Sequence, residues 1–197
     1  MTRRMEEQLV AYIKSKISVS DDELQTILSC FKHLKLKKNE LLLTQGEPSQ
    51  RTFFVTKGCL RIFFINEEGQ EATRYFAFEN QFATALTSFI TAEPSEEFIQ
   101  AVEETEIYYI SHRNFYHLLE IIPQWEKFYR IYLEIAYVNN TRRLQSFLME
   151  DALEKYRQLL NQNPVIVRRL SNKMVASYLN ISQETLSRLK SKLFSEL

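Results

Sequence analysis

The segment from Ser171 to Leu193, SNKMVASYLNISQETLSRLKSKL, holds the side chains whose types and spacing best suit a chemical task. At helical spacing its second half sets Gln183, Glu184, Ser187, Arg188 and Ser191 on one side, and Leu186, Leu189 and Leu193 on the other. The polar side consists of groups able to read base edges. Arginine bonds bidentately to guanine, glutamate accepts from cytosine, and glutamine pairs with adenine. Arg168, Arg169, Ser171, Lys173, Lys190 and Lys192 lie around this face and suit phosphate oxygens. The same pattern also fits an ordinary amphipathic hairpin with a solvated face, and these residues alone leave both readings open.

Two short helices with a tight corner would position that face. In the first, Val175, Tyr178 and Leu179 form a buried stripe at i, i+3 and i+4, and Ala176 is small where a second helix packs closely. Asn180 falls where the chain must bend and tolerates a left-handed backbone. Ser182, two residues on, suits the N-cap of the next helix. The segment resembles the helix-turn-helix of the CRP/FNR transcription factors, whose second helix reads Ser-Arg-Glu-Thr-x-x-Arg. Ser182, Gln183, Glu184, Thr185 and Arg188 stand in that register, with Gln183 in place of the first arginine. The resemblance implies a transcription regulator whose partners are double-stranded DNA with a palindromic operator, a second copy of the chain, and RNA polymerase.

Composition agrees with a folded domain or two: 197 residues, 45% hydrophobic. No apolar run approaches the roughly 20 residues that span a bilayer, and the opening MTRRMEEQLVAYIK lacks a signal core, so the expectation is a cytoplasmic protein without membrane contact. Cys30 and Cys59 lie far apart with no CxxC spacing, which predicts buried free thiols and no metal or cofactor. Residues 1–140 carry 15 Lys+Arg against 20 Asp+Glu, whereas residues 141–197 carry 10 against 5. A polyanionic partner is therefore expected for the C-terminal part only. His33, His112 and His117 are scattered and no Gly-rich phosphate loop occurs, so no enzyme is expected.

The remaining chain reads as α+β. A helix is predicted from Met5 to Ile17 on Leu9, Tyr12, Ile13 and Ile17, and a second after a Ser20/Glu23 capping box flanked by Val19 and Leu24. From His33 to Ile110 short strands follow, LKLKK, ELLLTQ, TFFVTKG, CLRIFFI, EATRYFAF and FIQAVEETEIYYI, which fits a jelly roll. Ser111 is expected to cap a closing helix. A long helix is predicted from Gln124 to Ser146 after Pro123, another from Glu150 to Leu160, and a short strand or extended entry to the next helix at VIV (165–167).

The β region is similar to the cyclic-nucleotide-binding domain of the same family. That resemblance implies a jelly-roll sensor over 1–122, a dimerisation helix over 123–146 with Trp125, Phe128, Tyr132, Ile135 and Val138, and an all-α helix-turn-helix domain over 147–197. In nucleotide-binding relatives a Gly-Glu pair holds the ribose and an Arg-Ser pair the phosphate. Here Thr84-Ala85 and Ser95-Glu96 occupy those places, so cyclic AMP is not expected to bind, and another small-molecule effector stays open. A C-terminal wing is expected to be missing. The competing reading is a ligand-binding or protein-interaction module that has lost sequence-specific DNA binding.

Overall fold

The computed structural model describes residues 2–195. Helix α1 (Thr2–Lys16) buries Leu9 and Ile13, with Ile17 buried just past its end. Helix α2 (Asp21–Ser29) begins at the expected capping box. The Glu23 N–H donates to Ser20 Oγ at 3.2 Å, and the Ser20 N–H donates to Glu23 Oε2 at 2.8 Å. The exchange satisfies two donors that a helix start otherwise leaves bare.

Eight strands follow: β1 (Phe31–Leu36), β2 (Leu41–Leu43), β3 (Arg51–Lys57), β4 (Leu60–Ile65), β5 (Glu71–Ala77), β6 (Gln81–Ala83), β7 (Phe98–Ala101) and β8 (Thr105–Ser111). They form two four-stranded sheets, β1-β8-β3-β6 and β2-β7-β4-β5, the arrangement of a jelly roll. The stretch from Phe98 to Ile110, expected as one strand, divides at residues 102–104 and enters both sheets. There the Val102 N–H turns to the Cys59 carbonyl at 3.0 Å. Gly58, just before β4, has φ +92°, and a Cβ there would stand 2.7 Å from the Glu104 carbonyl oxygen. Only glycine fits that crossing.

Helix α3 (Leu86–Thr91) lies in a part of the chain to which the sequence pattern assigns no element. Helix α4 (His112–Ile121) is capped by Ser111, whose hydroxyl accepts from the Asn114 N–H at 3.2 Å. Helix α5 (Pro123–Met149) runs past the expected end at Ser146. Helix α6 (Ala152–Gln162) starts later than Glu150, because Asp151 is its N-cap and accepts from Glu154 N–H at 2.9 Å. The VIV segment is not extended: it is the body of helix α7 (Pro164–Arg169). Proline at the first helical position fixes φ and overrides the strand preference of three β-branched residues. Helices α8 (Asn172–Leu179) and α9 (Gln183–Ser195) complete the described chain.

Among the described residues, 2–63 with 76–135 form one compact unit, and 64–75 with 136–195 form another. The first is centred on an aromatic cluster that joins α1, β3, α4 and the opening of α5, with Phe54, Phe82, Phe115, Trp125 and Phe128 in its interior. Trp125 and Phe128 stack at 4.5 Å between ring centroids. Cys59 is buried, but Cys30 is only half-buried, which corrects the expectation for that residue, and both thiols are free. No helix among the described residues is long and apolar enough to cross a membrane.

Candidate nucleic-acid interface

The corner between α8 and α9 is built by local chemistry. Ser171 caps α8, its hydroxyl accepting from the Met174 N–H at 3.4 Å. At the other end Asn180 takes the left-handed conformation, φ 55° and ψ 47°, and the Asn180 and Ile181 N–H groups both turn back to the Ala176 carbonyl. This is the stop that asparagine can provide at modest strain. Ser182 then caps α9, its hydroxyl accepting from the Thr185 N–H at 3.1 Å. Val175, Ala176, Leu179 and Leu186 are buried between the helices. Tyr178, expected to be buried with them, is half-buried, as are Leu189 and Leu193.

The opposite face of α9 is open: Gln183, Glu184, Ser187, Arg188 and Ser191 are all exposed. The Glu184 carboxyl is held below the usual carboxylate range by its own backbone N–H, then by the Ser182 hydroxyl, with a smaller contribution from Arg188 one turn on. It therefore stands as an ionised acceptor beside a cation. Around the start of α8 the fold gathers Ser171, Lys173 and Lys190, because Lys190 Nζ donates to Asn172 Oδ1 at 2.5 Å and so links α9 to α8. Arg168 and Arg169 are exposed at the end of α7, immediately before that cap. Lys192 is exposed further along α9.

Arg143 of α5 belongs to the same unit and carried no sequence signal, because its partners are distant in the chain. Its Nη2 donates to the Thr73 and Tyr178 carbonyls, each at 2.7 Å. The guanidinium lies 4.0 Å from the Tyr178 ring centroid and 4.8 Å from that of Phe147. Burial lowers its pKa. Nearby, Thr73 and Ser177 join hydroxyls at 2.6 Å, and Lys173 Nζ donates to Glu71 Oε1 at 3.2 Å.

In the other unit, three of the four residues that the resemblance sets in place of a nucleotide cassette are packed among protein atoms. Thr84, Ala85 and Ser95 are buried, while Glu96 is exposed and accepts from Gln45 Nε2 at 3.2 Å. Thr84 Oγ1 pairs with Thr52 Oγ1 and accepts from the Tyr132 hydroxyl at 2.9 Å. Ser95 Oγ accepts from the Glu97 N–H and donates to the Glu97 carbonyl, at 3.0 and 3.1 Å. Along α5, Trp125 and Phe128 lie wholly inside their own chain, Tyr132 is half-buried, and Ile135 and Val138 are about two-fifths exposed. Tyr137, Leu144 and Leu148 are more exposed, at 72%, 58% and 72%, and recur at i, i+7 and i+11.

Comparison with known proteins matches residues 33–121 to the cyclic nucleotide-binding domain family. The cAMP-activated global transcriptional regulator CRP of Salmonella typhimurium is 26% identical over 105 residues, 53% of this chain and 50% of the relative, and that of Escherichia coli O157:H7 gives the same values. The chain thus spans about half the length of the curated relatives it matches. Among solved structures, the c-di-GMP responsive regulator CLP of Xanthomonas campestris superposes with a TM-score of 0.72 at 15% identity, covering 90% of this chain and 93% of that one. FixK2 of Bradyrhizobium japonicum gives 0.73 at 16%, covering 84% and 85%. A putative regulator of the crp/fnr family from Eubacterium rectale gives 0.70 at 14%, covering 90% and 85%. The chain thus carries a cyclic nucleotide-binding domain over residues 33–121, in a fold that it shares with these regulators.

Proposed function

We propose that the chain is a DNA-binding transcription regulator that acts as a homodimer on a palindromic operator and does not respond to cyclic AMP. The observation that carries this reading is the exposed Gln183, Glu184, Ser187 and Arg188 face on a helix whose entry angle is set by Asn180 and Ser182. Arg188 and Glu184 read bases, with Gln183 and Ser187 beside them. Arg168, Arg169, Ser171, Lys173, Lys190 and Lys192 position the protein on phosphates. The names of the curated relatives, global transcriptional regulators, support the same class.

Dimerisation is assigned to α5. Trp125 and Phe128 are already used by the core of their own chain, and Tyr132 is tied to Thr84. The open stripe Tyr137, Leu144 and Leu148 has heptad spacing, which suits a helix-on-helix seam. Two copies joined there would present two recognition helices to successive major grooves about 34 Å apart.

The CRP relatives are named as activated by cAMP. This chain lacks the arginine and glutamate that would grip a cyclic phosphate and a ribose, and the hydroxyls that stand in those places are bonded to protein groups. Selection of bound duplexes from random sequence tests the whole reading. The expected product is an inverted repeat with half-sites about one helical turn apart, and recovery of no enriched sequence would overturn it.

A further inference from the structure

We propose that the β4–β5 hairpin is a built-in competitor for DNA: its Glu71 occupies Lys173, a cation of α8 that would otherwise take a backbone phosphate. This rests on the DNA-binding reading above and names a regulation of that same site. The contact is more than one surface pair. Lys173 and Ser177 stand at i and i+4 on a single face of α8, and the hairpin meets both, Lys173 through Glu71 at 3.2 Å and Ser177 through Thr73 at 2.6 Å. Thr73 is 2% exposed, so its hydroxyl is held in a protein environment. Its carbonyl is fixed from the other side by Arg143, which also holds the Tyr178 carbonyl on α8. The hairpin residues and the helix-turn-helix thus form one compact unit.

Charge makes this contact a competitor and not only a brace. The hairpin carries Glu67 and Glu68 in its turn and Glu71 at the start of β5, in a unit whose proposed phosphate contacts are, apart from Ser171, lysines and arginines. A phosphate approaching Lys173 meets a carboxylate already in place and must displace it. Release of the hairpin then frees Lys173 and removes negative charge from the phosphate path.

The test uses the full chain and a fluorescent random-sequence duplex of about 30 base pairs, so that phosphate contacts are measured without knowledge of the operator. Glu71→Gln should tighten binding about two- to five-fold at low salt, the range that an exposed ion pair supports. In a Lys173→Gln background the same change should give little or no gain, and Glu68→Gln should give the same small gain in either background. Equal binding by wild type and Glu71→Gln overturns the inference alone, as does a gain that persists undiminished in Lys173→Gln. Failure of wild type and both variants to bind the duplex at any salt overturns the DNA-binding reading and the inference together. Ser177→Ala, which removes the second hairpin bond and leaves the charges untouched, should also tighten binding, and weaker binding by that variant argues against the competitor role.

Discussion

Replacing Arg143 with methionine removes the group that joins three elements of the C-terminal unit and keeps most of its volume. The wild-type guanidinium makes two charge-assisted bonds, to Thr73 O and Tyr178 O at 2.7 Å, and covers the Tyr178 ring at 4.0 Å. Bonds to a charged donor contribute about 1.5 to 3 kcal/mol each, and a cation over an aromatic face about 0.5 to 2 kcal/mol. Against that stands the cost of taking the guanidinium out of water, which shows in its lowered pKa. A net loss of about 2 to 4 kcal/mol is expected. With a urea m-value of about 2 kcal/mol/M, the unfolding midpoint of this unit should fall by roughly 1 to 2 M. Hydrogen exchange localises the effect: amides of α8 should lose protection while those of α4, in the other unit, keep theirs. Arg143→Lys keeps the charge without the planar fork and should recover no more than half of the loss. A methionine variant that unfolds within about 0.3 kcal/mol of wild type, with α8 protection intact, would refute the assignment of Arg143 as the organising contact.

Four further outcomes are expected. Asn180→Ala should destabilise the helical corner by about 1 kcal/mol in denaturant unfolding and Asn180→Gly should not, because the position has φ 55°. Arg188→Ala should cost about 1 to 3 kcal/mol on the best-selected duplex and relax base preference at one position, measured by competition against random DNA; unchanged preference removes Arg188 from base reading. Tyr137→Asp with Leu144→Asp should give monomers by sedimentation, whereas Ile135→Asp should leave dimers, and the reverse result moves the seam to the Ile135 side of α5. Isothermal titration with cyclic AMP should show no saturable heat; micromolar binding near one ligand per chain would contradict the reading of Thr84, Ala85, Ser95 and Glu96.

What could be read from the sequence tracks how local the deciding interaction is. The capping box at Ser20 and the caps at Ser111 and Ser182 each depend on a partner three residues away, and Asn180 depends on its own backbone. All were legible. Helix α7 was misread because three β-branched residues favour a strand, while Pro164 and the packing of Ile166 decide otherwise. The resemblance set Trp125 and Phe128 on a dimerisation helix, but both are buried in their own chain, against partners from α1, β6 and α4 that lie far away in sequence.

The polar groups of the two units make the same point more sharply. The family resemblance sets Thr84 and Ser95 where relatives would grip a nucleotide, yet what a hydroxyl can offer a ligand depends on which neighbours it already serves. For Thr84 those are Thr52 and Tyr132, 32 and 48 residues away, and for Arg143 they are carbonyls 35 and 70 residues away. A side chain's type sets the chemistry it is able to perform, and the fold decides how much of that capacity is consumed internally. Arg188 and Arg143 carry the same guanidinium and differ in that respect: one is exposed on α9 and the other holds two carbonyls and two rings. The first is therefore the arginine that we propose to read a base, and the second the one that ties α5 to α8 and β5.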